Sequence, residues 1–271
     1  MNRLAVIGQP IAHSRSPAMH TAAFEALGIA DDWSYGAIEA SPEEFARRTR
    51  ELAAGGYVGA NVTVPHKRAA LEIADRASDV AREIGAANTL SFDSGEIAAE
   101  NTDGTGLLAA LPSAPAGMRA LVLGAGGAAR AAVWALRREG AAVEVWNRTP
   151  MRAHELAKSL GGEATEAVST PNYDLIVNAT SVGMHETTPS GGVSGLKPLP
   201  VDADGLHDRQ VVVDLVYGSD ETAFVRAARE RGAAVIDGLE VLVHQGAESL
   251  RIWTGLTPPL EAMRRAVRQD T

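Results

Sequence analysis

The sequence of 271 residues contains no cysteine, which excludes disulfide bonds and thiol chemistry. Long apolar runs are also missing. The opening run, residues 4–7, is too short for a signal peptide. No later stretch approaches the length of about 20 residues that a membrane-spanning helix needs. We therefore expect a cytoplasmic protein that has no membrane partner.

Basic runs are absent as well, and the formal net charge is −9. A surface of this sign does not favour nucleic-acid binding. Seven histidines are present, but no pair of them has the spacing of metal ligands, so we expect no metal site. With 45% hydrophobic and 22% charged residues, the chain is an ordinary globular one, and its length favours about two domains.

The most informative stretch is the glycine-rich segment after the predicted strand 121–123. Gly124, Gly126 and Ala129 have the spacing of the dinucleotide fingerprint, with alanine in the third position. Gly124 permits a tight turn, and a side chain at Gly126 would block a pyrophosphate. The following helix offers free N–H groups and a partial positive charge to an anion. The alternative is a tight strand-to-helix connection that binds no ligand.

The residues after the next predicted strand indicate which dinucleotide would bind. An NAD site usually has a carboxylate there, about 20 residues after the glycine turn. This strand instead ends in Asn147, Arg148 and Thr149, and Arg152 follows. Guanidinium groups bind a 2′-phosphate through charge-assisted hydrogen bonds, so we predict NADP rather than NAD. The alternative is that both arginines are ordinary surface residues.

Strands and helices alternate along the chain, which predicts an α/β fold with a parallel sheet and helices on both faces. A composition break at residues 112–117 precedes the sheet of the nucleotide-binding part, and a long loop is expected at residues 183–206. Strands are predicted at 4–7, 33–38, 59–64, 88–92, 96–99, 121–123, 142–146, 175–178, 211–215 and 234–236. Helices are predicted at 17–27, 42–54, 67–74, 78–84, 107–111, 128–138, 151–160, 224–231, 239–253 and 260–267.

Lys67 and Asp103 are candidates for acid–base chemistry, because each follows the end of a predicted strand. A carboxylate holds an ammonium in place, and such a pair suits proton transfer to or from a hydroxyl that becomes a carbonyl. On the residues alone, the more common explanation is a solvated lysine and a helix-capping aspartate.

Several polar residues stand at strand ends and in loops, where a polyhydroxylated ligand would need fixed donors and acceptors. Each of them could equally be a turn or cap residue. They are Ser14, Ser16, Asn61, Thr63, Asn88 and Gln245.

Seven motifs, in order along nearly the whole chain, resemble those of the shikimate dehydrogenases. They are GQPIAHSRSPAMH at 8–20, NVTVPHK at 61–67, GAANT at 85–89, NTDG at 101–104, GAGGA at 124–128, NRT at 147–149, and DG at 237–238 with Gln245. The resemblance implies NADP-dependent, reversible hydride transfer between shikimate and 3-dehydroshikimate, a step toward chorismate and the aromatic amino acids. Relatives with other preferences use quinate or aminoshikimate, and a non-catalytic NADP-binding regulator on the same fold is a further alternative.

The resemblance also assigns roles to individual residues. Lys67 would be the acid–base residue, with Asp103 as its partner, and Ser14 and Ser16 would bind the substrate carboxylate. The other implied substrate contacts, besides Lys67 and Asp103, are Asn61, Thr63, Asn88, Tyr217 and Gln245. The implied cofactor contacts are Gly124, Ala125, Gly126, Gly127, Ala128, Asn147, Arg148, Thr149, Arg152, Leu215 and Gly238.

The same resemblance implies two domains. Residues 1–103 and 239–271 would form an N-terminal α/β domain that binds the substrate, and residues 104–238 a Rossmann-type, doubly wound domain that binds NADP. We expect a monomer or homodimer that acts on a small molecule. His66 departs from the family pattern, which often has an apolar or aromatic residue there, and a titratable neighbour could alter the protonation of Lys67.

Overall fold

The computed structural model describes residues 1–184, 196, 198–218 and 221–269. The chain forms two compact units, Met1–Gly106 with Leu242–Thr271 and Leu107–Val241. The sequence places the divisions at 103/104 and 238/239, and the structure places each of them three residues later. Part of the loop expected at 183–206 lies outside the described residues.

Regular elements alternate along the described chain. The strands are β1 (Asn2–Gly8), β2 (Trp33–Glu39), β3 (Tyr57–Val62), β4 (Arg76–Ala77), β5 (Thr89–Asp93), β6 (Glu96–Glu100), β7 (Arg119–Leu123), β8 (Ala142–Trp146), β9 (Glu163–Ala164), β10 (Leu175–Asn178), β11 (Val211–Asp214) and β12 (Ala234–Ile236). The helices are α1 (Ser16–Leu27), α2 (Pro42–Ala54), α3 (Lys67–Glu72), α4 (Asp79–Ile84), α5 (Asp103–Ala110), α6 (Gly127–Arg138), α7 (Pro150–Leu160), α8 (Ala223–Glu230), α9 (Gly238–Thr254) and α10 (Leu260–Arg268). Short 3-10 helices occur at Thr170–Asn172 and Ala203–Gly205.

The first unit is built on a mixed sheet with the strand order β2-β1-β3-β5-β6-β4. Strands β2, β1 and β3 are parallel, β5 is antiparallel to both of its neighbours, and β4 is parallel to β6. The ends of β1, β3 and β6 and the start of β5 therefore lie at the same edge of the sheet. This arrangement brings residues from four separate stretches of the sequence to one edge.

The second unit is built on a parallel sheet with the order β12-β11-β10-β7-β8-β9. This is the strand order of the doubly wound Rossmann fold, whose direction reverses between β7 and β10. The prediction of an α/β chain with an N-terminal α/β domain and a Rossmann-type domain is confirmed. Ligands bind such sheets beyond the carboxyl ends of the strands at the reversal point.

The centre of the second unit explains why β7 reads as an uninterrupted apolar run. Val122 packs into one core cluster with Val133, whereas Leu121 and Leu123 pack into a second cluster with Phe224. Successive side chains of a strand point to opposite faces, and helices cover both faces of this sheet. Every side chain of the strand centre is therefore buried.

Helix α5 begins earlier than the sequence indicates. The glycines at 104 and 106 favour a polar turn before a helix at 107, but α5 begins at Asp103. The Asn101 side chain accepts a hydrogen bond from the Asp103 N–H at 3.1 Å. Gly106 is required by packing, because a Cβ there would lie 2.7 Å from the backbone nitrogen of Gln245. The expectation of a turn was wrong because it took a packing glycine for a helix breaker.

Two strands were not predicted from the sequence. Strands β4 and β9 each contain only two residues, and they add edge strands to the two sheets. Strands this short have no detectable alternation of polar and apolar residues. Within the described residues, no helix has both the length and the apolar character needed to cross a membrane.

His20 lies on α1 inside the first unit and is fully buried. Its ring stacks on Tyr35 of β2 with a centroid distance of 4.2 Å. Neither ring nitrogen has a hydrogen-bond partner among the described residues. Burial, opposed by the nearby Asn61 side chain, lowers the pKa of His20 to about 3. His20 is therefore neutral in the folded protein at neutral pH.

This buried histidine makes stability depend on pH. The unfolded chain binds a proton at this site below a pKa of 6.5, whereas the folded chain does so only near 3. Stability is therefore lost as the pH falls through this window, by about 1.4 kcal/mol per pH unit. Between pH 7 and pH 5, we expect the wild type to lose about 2 kcal/mol more than His20→Phe in urea unfolding. Equal losses would show that another group governs the pH dependence.

Candidate functional site

An ion pair lies at the edge of the first sheet where β1, β3 and β6 end and β5 begins, which we call the polar edge of the first unit. Lys67 is the first residue of α3, and Asp103 is the first residue of α5. Lys67 Nζ donates to Asp103 Oδ2 at 2.7 Å, and the two side chains are 14% and 15% exposed. A charge-assisted hydrogen bond of this length between mostly buried groups holds both side chains in one orientation. The structure thus brings together the two residues that the sequence singled out for acid–base chemistry.

Asn88 fixes the second oxygen of the carboxylate. Its Oδ1 accepts from the backbone N–H of Thr102 at 2.7 Å, and its Nδ2 donates to Asp103 Oδ1 at 3.0 Å. A backbone N–H can only donate, so the amide has a single orientation, with its NH₂ group toward Asp103. Both carboxylate oxygens of Asp103 therefore have a donor.

Gln245 joins this edge from the C-terminal part of the chain. Its Oε1 accepts from Asn88 Nδ2 at 3.0 Å, and its Nε2 donates to the Leu242 carbonyl at 2.9 Å. Helix α9 therefore contributes to the same hydrogen-bonded network, although Gln245 follows Asn88 by 157 residues.

Asn61 lies beneath this network, directly before the end of β3, and is 5% exposed. Its Nδ2 donates to the Asn88 carbonyl at 3.1 Å, to Ser249 Oγ at 3.0 Å and to Thr89 Oγ1 at 3.2 Å. Its Oδ1 accepts from Tyr35 Oη at 2.7 Å. Protein groups thus occupy both ends of the Asn61 amide.

The remaining first-unit candidates follow strands that end at the same edge of the sheet. Ser14 and Ser16 follow β1, and the Ser16 N–H donates to Ser14 Oγ at 3.3 Å. Thr63 follows β3, which is the parallel neighbour of β1. A Cβ at Gly8 would lie 2.3 Å from Thr63 Cγ2, so the chain after β1 runs close to Thr63. Thr63 and the start of the segment that carries the two serines thus lie at adjacent strand ends.

Tyr217, Leu215 and Gly238 belong to the second unit, where Leu215 and Tyr217 follow β11 and Gly238 begins α9. A Cβ at Gly238 would lie 2.9–3.0 Å from three carbonyl oxygens of residues 214–216. The missing side chain thus lets α9 begin against the end of β11. Tyr217 is half-buried there and is not part of the first unit.

The two fingerprint glycines differ in what surrounds them. Gly124 has a φ of +114°, and a Cβ there would lie 2.8 Å from the Ala179 carbonyl oxygen. Gly126 has an ordinary φ of −86°, and a Cβ there would have no atom within 4 Å. Gly124 is thus needed by the fold, whereas Gly126 leaves open space before the N-terminus of α6. A phosphate group fits in such a position, where free N–H groups point at it.

The residues after β8 stand beside this turn, because β8 is the parallel neighbour of β7. Asn147 Nδ2 donates to the Thr149 carbonyl at 2.9 Å and so shapes the connection to α7. Arg148 and Arg152 are exposed, and neither forms an ion pair with a residue that the structure describes. Their guanidinium groups are available to an anion, so this side of the unit fits a phosphorylated dinucleotide.

The His66 side chain packs against α2 and the chain just before it. It is 2% exposed, its ring stacks on Phe45 at 4.4 Å, and its Nε2 lies 2.8 Å from the Ala40 carbonyl oxygen. The histidine therefore fills the apolar position that the resemblance led us to expect. Among the described residues, no cluster of three or more histidine, aspartate or glutamate side chains could hold a metal ion.

One buried polar cluster was not found from the sequence. Asp214, at the end of β11, is fully buried and accepts from Asn178 Nδ2 at 2.9 Å and from Thr222 Oγ1 at 2.6 Å. In the sequence, β10 and β11 are apolar runs whose last residue is polar, and this change at the last position is the signal that could have identified the cluster. It ties the ends of β10 and β11 to the start of α8.

Comparisons with known proteins cover most of the chain. The family described as the shikimate dehydrogenase substrate binding domain matches residues 6–90, and the family described as shikimate / quinate 5-dehydrogenase matches residues 110–189. The family described as the shikimate 5'-dehydrogenase C-terminal domain matches residues 238–268. A relative from Acidiphilium cryptum, named shikimate dehydrogenase (NADP(+)), is 44% identical over 278 residues, which cover 99% of this chain and 96% of the relative.

The chain belongs to the shikimate dehydrogenase family. A second relative of the same name, from Methanothermobacter thermautotrophicus, is 40% identical over 277 residues, 97% of this chain and 95% of the relative. Among solved structures, shikimate 5-dehydrogenase from Thermus thermophilus in complex with NADP(H) and shikimate is 42% identical, with a TM-score of 0.87 and 99% of both chains covered. The family expected from the seven motifs is confirmed.

The surroundings of the two glycines predict different outcomes for the same substitution. We expect Gly124→Ala to lower the free energy of unfolding by at least about 2 kcal/mol, because it forces a side chain into a left-handed backbone and against a carbonyl. We expect Gly126→Ala to change it by less than about 1 kcal/mol. Urea unfolding of both variants checks this, and equal effects would contradict the distinction.

Proposed function

We propose that the protein is an NADP-dependent shikimate dehydrogenase, which catalyses reversible hydride transfer between shikimate and 3-dehydroshikimate on the route to chorismate. The observation that carries this proposal is the Lys67–Asp103 pair at 2.7 Å, with Asn88 as donor to the second carboxylate oxygen. The pair stands at the polar sheet edge of the unit to which the substrate-binding family corresponds. Such a pair suits proton transfer at an alcohol carbon.

The cofactor contacts follow from the open space at Gly126 and from the two exposed arginines. We assign the pyrophosphate to the N–H groups of Gly124–Ala128 and the 2′-phosphate to Arg148 and Arg152, with Asn147 and Thr149 shaping that turn. Leu215 and Gly238 line the rest of the proposed cofactor site. When bound, NADPH supplies the hydride that reduces the carbonyl, and NADP⁺ accepts it in the reverse direction.

The substrate contacts are drawn from the polar edge. We assign the substrate carboxylate to the hydroxyls of Ser14 and Ser16, with Thr63 beside them. Additional contacts come from Asn88, Gln245 and Tyr217, whereas Asn61 contributes through its hydrogen bond to the Asn88 carbonyl. This division leaves Lys67 and Asp103 for the hydroxyl that reacts.

Lys67 moves the proton. As the C3 carbonyl of 3-dehydroshikimate receives a hydride at carbon, its oxygen takes a proton from Lys67 Nζ and becomes a hydroxyl. In the oxidation of shikimate, Lys67 receives that proton. Asp103 keeps the lysine side chain oriented through the 2.7 Å hydrogen bond. Positioned proton transfer of this kind is worth about 10²–10⁴-fold in rate.

Replacement of Lys67 tests the mechanism. We expect Lys67→Ala to lower kcat for shikimate oxidation by at least about 100-fold, with a much smaller change in KM, because the proton acceptor is lost. NADPH absorbance measures the rate. Lys158→Ala, which removes an exposed lysine from α7, is the matched control and should keep wild-type kcat.

The same assay separates the alternatives. If the wild type turns over quinate or aminoshikimate faster than shikimate, that compound is the substrate. Absence of oxidation of all three would favour a non-catalytic NADP-binding regulator. A near-normal kcat in Lys67→Ala would reject the role of the lysine alone.

Arg148 should decide between the two dinucleotides. We expect Arg148→Asp to raise KM for NADP by about 10-fold or more, because a carboxylate repels the 2′-phosphate that the guanidinium binds, while KM for NAD changes much less. Arg50→Asp makes the same charge change on an exposed position of α2 and should leave both values unaltered. An unchanged preference in Arg148→Asp would refute the assignment.

A further inference from the structure

A stacked pair of buried aromatic residues in the first unit has no role in the proposed mechanism. Tyr35, on β2, is 8% exposed and donates from its hydroxyl to Asn61 Oδ1 at 2.7 Å. His20, on α1, stacks on the Tyr35 ring with an angle of 7° between the ring planes. The stacked histidine limits the positions that the phenol ring can take. The Tyr35 hydroxyl is therefore held at one end of the Asn61 amide.

The Asn88 carbonyl and the hydroxyl of Tyr35 together hold the Asn61 amide in one orientation. With Oδ1 toward Tyr35, the NH₂ group faces the Asn88 carbonyl at 3.1 Å. A flipped amide would place Oδ1 against that carbonyl oxygen, and two acceptors repel each other. The carbonyl therefore selects the orientation, and the hydrogen bond from the Tyr35 hydroxyl anchors Asn61 Oδ1 in it.

The Asn61 amide also organises the hydroxyl groups behind Asp103. Its NH₂ group reaches Ser249 Oγ at 3.0 Å, and that hydroxyl lies 3.2 Å from Thr102 Oγ1. Thr102 directly precedes Asp103, and its N–H fixes the side chain of Asn88. Two routes thus run from Asn61 toward the carboxylate, one through the backbone of Asn88 and one through Thr102.

We propose that Tyr35 is a positioning residue for the Lys67–Asp103 pair, acting through Asn61 and Asn88. It contacts neither member of the pair in the hydrogen bonds described above. It anchors one end of an amide that supports the donor to Asp103 Oδ1. This inference rests on the proposed function, because its readout is shikimate turnover.

Tyr35→Phe tests the inference, because it removes only the hydroxyl and keeps the ring that stacks on His20. We expect kcat for shikimate oxidation to fall about 10-fold, with KM for shikimate and for NADP within about twofold of wild type, since small losses of orientation slow the reaction more than they weaken binding. All rates are measured where urea unfolding shows the variant to be fully folded.

Tyr173→Phe is the matched control. Tyr173 is 3% exposed in the second unit, and its hydroxyl donates to Glu144 Oε2 at 2.8 Å, so the substitution also removes a hydrogen bond donated by the phenol of a buried tyrosine. This variant should keep wild-type kcat. If Tyr35→Phe and Tyr173→Phe have the same kcat, the inference is overturned although the wild type still oxidises shikimate. A wild type that does not oxidise shikimate overturns the proposed function itself.

A double-mutant cycle adds a readout that a purely structural role would not move. If Tyr35 acts through Asn61, adding Tyr35→Phe to Asn61→Ala should lower kcat no further than Asn61→Ala alone. Multiplicative losses in the double variant would show that Tyr35 acts independently of Asn61. Should Asn61→Ala fail to fold, the comparison of Tyr35→Phe with Tyr173→Phe decides the question by itself.

Discussion

The arrangement of the first unit depends on one ion pair that is largely removed from water. A buried charge is costly unless it is paired and its remaining hydrogen-bonding positions are filled. Lys67 satisfies one oxygen of Asp103 and Asn88 the other. The polar residues beneath and around the pair provide the second layer of this support, which is why so many side-chain amides and hydroxyls meet at one end of an otherwise apolar sheet.

In the second unit, the main physical requirement is that a ligand can reach the backbone. Gly124 is a glycine because the chain turns through a left-handed conformation against a neighbouring carbonyl. Gly126 is a glycine although the protein leaves room for a side chain. A residue kept small without a structural need indicates that something outside the protein approaches it. The two glycines of this motif thus have different explanations, since the fold requires the first and an approaching ligand explains the second.

The sequence was informative where one local cause decides the structure. The strands predicted at 142–146, 175–178 and 234–236 have the observed bounds, because apolar runs between turn residues define them. It failed at α5, where a glycine serves packing against a distant helix. The motifs singled out Lys67, Asp103, Asn88 and Gln245, which the structure places in one network. The hydrogen bonds of Tyr35 and Ser249 could not be predicted, since each is an ordinary residue until the folded chain supplies its partners.

Helix α9 makes the polar edge of the first unit depend on a part of the chain that is synthesised late. Gln245 and Ser249 follow their partners Asn88 and Asn61 by 157 and 188 residues. While a ribosome is still extending the chain, the amides at the edge of the first sheet lack these partners until the last helices are synthesised. Maturation of the polar edge is therefore one of the final events in the biogenesis of the protein.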